Sequence, residues 1–240
     1  MKGDSTSIPS AKDLVQEAVR LHPSTDVNEI HGRTYNVMME HKKHYYEVKV
    51  DTFLSRISLL DIPNDLKRRL REEMLQPIIA NDVEYANFME EASRRVSQTF
   101  QVVSGNIAEL CVERELIKVG LREKVHYRKK VERTDFLVCS PNLANERARH
   151  RVEVKNVKLR ERGTRGLAFD GDSMFGFFNE PSEFTQSTVE VIDSQCLSTR
   201  GYCYIPPSTL NQMRFRGNRF RVNTQLAQDM LYFVQNGRLP

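Results

Sequence analysis

Apolar residues recur every third or fourth position through the first half of the chain, and every second position only in short runs beyond it. In SAKDLVQEAVRLH, Leu14, Val15, Ala18 and Val19 line one helical face, with Ser10 ahead of them as an N-cap. PNDLKRRLREEMLQPIIA keeps Leu66, Leu70 and Met74 in helical register behind Asn64 as a cap, until Pro77 interrupts. DVEYANFMEEASRRVSQTFQVV continues the helical period, while HKKHYYEVKVDTFLSRISLLDIP fits helix and strand alike. SGNIAELCVERELIKVGL predicts a helix with Ser104 as its cap, a stripe of Ile107, Leu110, Cys111, Leu116 and Val119, and Gly120 as its stop.

After that helix the period shortens. KVHYRKKV, TDFLVCS (ended by Pro141), RHRVEVKNVKL and GYCYIPP read as strands. EFTQSTVEVIDSQCLSTRG reads as a helix feeding the last of them. NTQLAQDMLYFVQNG reads as a closing helix, capped by Asn223 or Thr224 and stopped by Gly237. This order predicts an α/β (α+β) fold, a mixed β-sheet core flanked by helices, with a helical N-terminal region. The expected division is 1–103, a mainly helical N-terminal region, and 104–240, the core with its C-terminal helix. No internal repeat or low-complexity tract interrupts this layout.

Composition narrows the class. Hydrophobic residues at 39% and charged ones at 28% supply one sizeable core and a soluble surface. The polar start MKGDSTSIPSAKDLV and the absence of an apolar run of about 18 residues predict a cytoplasmic protein with no membrane contact. Cys111, Cys139, Cys196 and Cys203 form no CxxC pair, so reduced thiols are expected rather than a zinc ribbon or a disulfide framework. The net charge of +4 hides an uneven distribution. From Arg122 to Arg165 fourteen Lys or Arg face six acids, a surplus of eight, and MRFRGNRFR sets Arg214, Arg216, Arg219 and Arg221 among phenylalanines. Both patterns suit a polyanion, since each phosphate neutralised releases condensed counterions.

Within the basic stretch sits the candidate chemistry. On a strand, residues two apart share a face, so VEVK would project Glu153 and Lys155 together. Asp135 heads the preceding strand, and an antiparallel hairpin would bring it to Glu153, giving two hard oxygen donors suited to Mg²⁺, with the Val154 backbone carbonyl as a further ligand. Lys155 would then orient or deprotonate a water and offset charge on a phosphate. The helix before them offers Glu109, with Glu113 one turn on as a competitor. A second Glu-Val-Lys, Glu47 to Lys49 in YYEVKV, lacks an upstream Asp heading a strand and reads as a solvated pair. The six histidines form no HExxH, HxH or HNH-like pattern, and GxxxxGK[ST], GxGxxG and GxSxG are absent, so a nucleotide cofactor is not expected.

The order Glu109 on a helix, Asp135 on a strand and Glu153-Val154-Lys155 on the next resembles the PD-(D/E)xK nuclease superfamily, particularly its type II restriction endonucleases. The resemblance spans roughly 104–207. One departure is Thr134, where the family's motif has Pro. It implies Mg²⁺-dependent hydrolysis of double-stranded DNA at a short specific site, leaving 5′-phosphates, with Mn²⁺ able to substitute, by a homodimer in which 1–103 would serve dimerisation or DNA embrace. It further implies Asp135 and Glu153 as metal ligands, Lys155 as the catalytic lysine and Glu109 as the auxiliary acid. Lys158, Arg160, Arg162 and Arg165 in VKLRERGTRG, with Arg214, Arg216 and Arg219, are the candidate DNA contacts, because Arg pairs bidentately with guanine and Lys with phosphate. DGDSMFGFFNEPSEF reads either as a further DNA-facing loop, with Asn179 in it and Gln186 just beyond it available to adenine, or as a plain surface loop. A junction-resolving or repair nuclease of the same superfamily, and a non-catalytic nucleic-acid-binding protein, remain the alternatives.

Overall fold

The protein's structure, a computed structural model, describes residues 8–57, 63–80, 82–156 and 169–240. The chain divides into two compact units, Met1–His22 with Arg33–Asn106 and Pro23–Gly32 with Ile107–Pro240. In the first unit α1 (Ala11–Leu21) starts as expected, Ser10 Oγ accepting from the Asp13 amide at 3.2 Å. α2 (Val27–Ile57) runs through both units and takes in YYEVKV. Tyr46, Val50 and Leu54 are buried at four-residue spacing, and that period decides for helix over strand. Glu47 therefore lies beside His44 (3.8 Å) and Lys49 over the Tyr45 ring (5.2 Å), with no strand to align them.

α3 (Asn64–Leu75) is capped by Pro63, so Asn64 is its first residue rather than its cap. The helical period expected through Val83–Tyr85 gives way to a hairpin of β1 (Ile78–Ala80) and β2 (Val83–Tyr85), which follows Pro77 and turns with Asp82 at φ 59. After α4 (Phe88–Ala92), α5 (Arg94–Lys118) begins ten residues before the cap expected at Ser104. Its stripe runs unbroken through buried Phe100, Val103, Ile107 and Cys111, so nothing ends the helix at Ser104. The far end is as expected: Gly120 takes φ 88, and the amides of Gly120 and Leu121 close on Ile117 and Leu116 in a Schellman motif.

The second unit holds a six-stranded sheet in the order β3 (Tyr127–Val131), β4 (Thr134–Ser140), β5 (Ala148–Lys155), β6 (Ser173–Gly176), β7 (Cys203–Ile205), β8 (Phe220–Val222). The first three are antiparallel and the last three run parallel to β5, so the sheet is mixed, as expected. α6 (Gln186–Thr199), capped by Thr185, connects β6 to β7; α7 (Pro207–Gln212) and α8 (Leu226–Asn236) follow. β6 corrects the surface-loop reading of its segment: Ser173–Gly176 is wholly buried between β5 and β7. The α8 cap differs too. Asn223 forms a reciprocal amide pair with Asn28 (2.7 and 2.6 Å) and donates to the Gly176 carbonyl, leaving α8 without a side-chain cap.

Phe178, Phe184, Ile192, Cys196 and Ile205 form the core beside the parallel strands, the phenylalanines and isoleucines each contributing about 2 kcal/mol by burial. All four cysteines are buried and free. Among the described residues no helix is long and apolar enough to cross a membrane. Two histidines are sealed inside this unit. His150 shares a 2.8 Å hydrogen bond between its Nε2 and Ser173 Oγ, and His31 stacks on Phe177 at 3.7 Å with Nε2 3.1 Å from Asn156 Oδ1. Desolvation lowers both pKa values to about 4.

The segment leading into β6 is pressed against β5. The Asp172 amide donates to the Arg151 carbonyl at 2.8 Å, and Arg151 closes back on the Asp172 carboxylate. A Cβ on Gly171 would stand 2.9 Å from the Ser173 oxygen, 3.0 Å from the Glu153 nitrogen and 3.1 Å from the Arg151 oxygen, so only glycine permits this approach.

Two outcomes follow. Gly171→Ala pushes this segment off β5 at Glu153 and lowers stability by roughly 1–3 kcal/mol, read as a lower urea midpoint. Stability also falls as pH drops from about 6.5 to about 4, because the unfolded chain protonates His31 and His150 in that window and the folded one does not. Urea midpoints at pH 7 and pH 5 check this, and His150→Gln flattens the difference.

Candidate active site

β4 pairs with β5 so that Phe136 faces Val152 and Leu137 faces Arg151, and one further step in that register sets Asp135 opposite Glu153. Opposite residues of an antiparallel pair share a face about 5 Å apart, so both carboxylates rise on one side of the sheet. The β3–β4 register brackets the same row: Lys129 faces Phe136 and Val131 faces Thr134, which leaves Lys130 opposite Asp135. Lys130, Asp135 and Glu153 thus form a row across three strands, with Lys155 two residues beyond Glu153 on the same face.

Each group is held from the backbone or by an ion pair. Asp135 Oδ2 accepts from the Val154 amide at 2.6 Å, which replaces the next rung of the ladder with a side chain. Glu153 takes the Asp170 amide on Oε2 at 2.6 Å and the Lys155 ammonium on Oε1. The Lys155 carbonyl accepts from the Phe177 amide at 3.4 Å, and the next residue, Asn156, meets His31. The end of β5 is therefore anchored on both sides of the lysine.

On α5 the two candidate acids separate. Glu113 is engaged inward, accepting from Tyr127 Oη at 3.1 Å and Lys129 Nζ at 2.9 Å. Glu109 instead meets Lys130, whose Nζ lies 3.2 Å from its Oε2. Burial raises the Glu109 pKa, Lys130 pulls it down and Asp135 pushes it up. The Asp135 pKa is raised first by burial and further by Glu153, while the Val154 amide, Lys155 and Lys130 lower it. The carboxylates thus sense one another as like charges in a half-buried place.

Of the sequence-derived set, Asp135, Glu153 and Lys155 come together, with Glu109 beside them through Lys130. Among the described residues no group of three or more His, Cys, Asp and Glu side chains converges to hold a metal. Lys130 and Asp170 were missed; the two-residue alternation that flagged Glu153 and Lys155 would also have put Lys130 on the Asp135 row once a β3–β4 hairpin was drawn. Lys158, Arg160, Arg162 and Arg165 lie outside the described residues. In the second basic cluster Arg214 and Arg216 are exposed, whereas Arg219 lies 5.2 Å from the Tyr202 ring with its amide on Asp193 Oδ1. Arg221 is structural, stacked on Tyr202 at 3.8 Å and paired with Asp229 at 2.7 Å. Asn179 is exposed, and Gln186, at the start of α6, donates to Glu190 at 2.9 Å.

No protein-family model and no curated protein matches the sequence. Solved structures do. The chain is similar to metal-depleted Ecl18kI in complex with uncleaved, modified DNA, with a TM-score of 0.60 and 14% identity over 97% of this chain and 81% of that one. It is also similar to metal-depleted Ecl18kI in complex with uncleaved DNA, with a TM-score of 0.58 and 12% identity over 94% and 79%. Ecl18kI is a type II restriction endonuclease, and the chain shares its fold.

Proposed function

We propose that the chain is a Mg²⁺-dependent type II restriction endonuclease that hydrolyses double-stranded DNA at a short specific site and leaves 5′-phosphates. The observation that carries this reading is the row set by the β4–β5 register, Asp135 opposite Glu153 with Lys155 on the same face, in a fold shared with a restriction endonuclease. Homodimerisation, with 1–103 contributing, belongs to the same reading.

The donor set fits a hard divalent cation. Asp135 and Glu153 lie opposite each other on one face, and the Glu153 charge raises the Asp135 pKa, a repulsion that a cation between them would relieve. Two carboxylates with waters in the remaining positions is a common way to hold Mg²⁺, and the Val154 carbonyl is the further proposed ligand. When bound, Mg²⁺ supplies Lewis-acid polarisation of a phosphoryl oxygen and a water of lowered pKa.

The chain's own groups do the rest. Asp135 is aimed by the Val154 amide and Glu153 by the Asp170 amide, so neither carboxylate has to be ordered when substrate arrives. The Lys155 ammonium, on the face that meets the scissile phosphate, offsets the negative charge that grows on the phosphoryl oxygens as water attacks. Water adds to phosphorus, the bond from phosphorus to O3′ breaks, and the products are a 5′-phosphate and a 3′-hydroxyl. Glu109 acts as the auxiliary acid beside Asp135. Lys158, Arg160, Arg162 and Arg165 follow the catalytic strand directly and, with Arg214, Arg216 and Arg219, contact DNA.

Incubation of the chain with genomic DNA and Mg²⁺ is expected to give discrete fragments, and EDTA to abolish them. Asp135→Ala and Lys155→Ala each reduce cutting by on the order of 100-fold or more. Undiminished cleavage by either variant overturns the site assignment, and a continuous smear in place of bands overturns site specificity.

A further inference from the structure

Lys130 stands in the active-site row without a role in the reaction described above. It sits on β3 opposite Asp135, its ammonium 3.2 Å from Glu109 Oε2, and its side chain is 60% exposed while that of Glu109 is 20% exposed. The cation is therefore on the open side of the site and the carboxylate on the inner side. Its backbone is also unusual, at φ 53 within a strand, a left-handed conformation that costs a non-glycine residue about 1 kcal/mol or more. The next lysine, Lys129, is bound to Glu113 and does not share this position.

We infer that Lys130 is a built-in cation occupying the seat between Glu109 and Asp135 that a second divalent ion would otherwise take, so that one Mg²⁺ suffices at each active site. The inference rests on the nuclease reading above and deepens it. Formal charge argues for it. Glu109, Asp135 and Glu153 bring three negative charges, and Lys130 and Lys155 bring two positive ones, leaving one negative. One divalent ion then brings the site to a single positive charge, which matches one phosphodiester. Without Lys130 the same ion leaves the site neutral, and the two carboxylates on that side present an open cation seat, as in sites where two ions lie about 4 Å apart. An ammonium suits the seat because it is a compact point charge on a flexible stem, and an exposed pair of this kind is weak enough to rearrange when a phosphate enters.

The test is a Mn²⁺ titration of the full chain, with free ion followed by electron paramagnetic resonance, on wild type, Lys130→Ala, Lys130→Gln, Lys130→Arg and Lys129→Ala. Wild type, Lys130→Arg and Lys129→Ala are expected to bind about one ion per chain, and the two charge-removing variants about two. In parallel, the Mg²⁺ dependence of genomic DNA cleavage is expected to change from first order to near second order in Lys130→Gln. Two ions bound to wild type, or one ion and an unchanged Mg²⁺ order in both Lys130→Ala and Lys130→Gln, overturns the inference while leaving the nuclease reading intact. If wild type binds no Mn²⁺ and cuts no DNA, the nuclease reading itself falls and the inference with it.

Discussion

The antiparallel register of β4 against β5 is the constraint on which the site depends. Side chains alternate faces with a period of two, so a slip of one residue would send Asp135 to one side of the sheet and leave Glu153 and Lys155 on the other. The register is fixed away from the acids by apolar pairing. Phe136 and Val152 are opposite each other and both 1% exposed, Phe136 meets Tyr127 edge-on at 5.9 Å, and Ser140 Oγ binds the Val234 carbonyl of α8 at 2.8 Å. Burial drives these contacts and has no preference for chemistry. It nevertheless places two carboxylates where their own repulsion would not.

That placement costs free energy, and the surrounding groups offset it. Like charges in a half-buried site raise each other's pKa, as at Asp135, and the compensation comes from oriented backbone amides and two ammoniums rather than from solvent. Gly171 is part of that compensation. Because it carries no Cβ, the 169–172 segment lies directly on β5 and the Asp170 amide reaches Glu153. The far end of β5 is secured by His31, buried and stacked on Phe177, through Asn156. The start of α2, distant in sequence, therefore holds the side chain of the residue just after Lys155.

Glu153, Lys155 and Asp135 were legible in the sequence because strand alternation and chain order are local properties that a short motif records. The helix of Glu109 was legible for the same reason, though its start was not: a stripe that continues through Phe100 and Val103 carries no boundary signal at Ser104. The choice between Glu109 and Glu113 was not legible, since both lie on one face a turn apart, and only Tyr127 and Lys129 show that Glu113 is engaged elsewhere. β6 was misread because Ser173–Gly176 is buried on both faces and so lacks alternation, and its glycine and neighbouring polar residues imitate a loop. YYEVKV and VEVK are the same three letters in two structures. The four-residue spacing of Tyr46, Val50 and Leu54 decides the first, and the apolar pairing of Val152 decides the second.

Charge counting in the sequence overstated what is offered to a polyanion, and the structure separates two populations. Lys129, Lys130, Arg149, Arg151 and Lys155 are each paired with a carboxylate, and Arg221 supports Tyr202 and Asp229. Arg122, Lys124, Arg128, Arg133 and Arg147, by contrast, are exposed on the approach to β3, on β3 itself, in the β3–β4 turn and on the approach to β5. Exposed cations of this kind steer a phosphate backbone over distances set by salt screening, on the order of 10 Å. Paired cations act only where they sit, and their value lies in the charge state they give the carboxylates beside them. Long-range attraction and local chemistry can therefore vary independently. Under the proposed function, removing Arg128 or Arg133 would change how DNA is collected, whereas removing Lys155 would change what happens to a phosphate already in place.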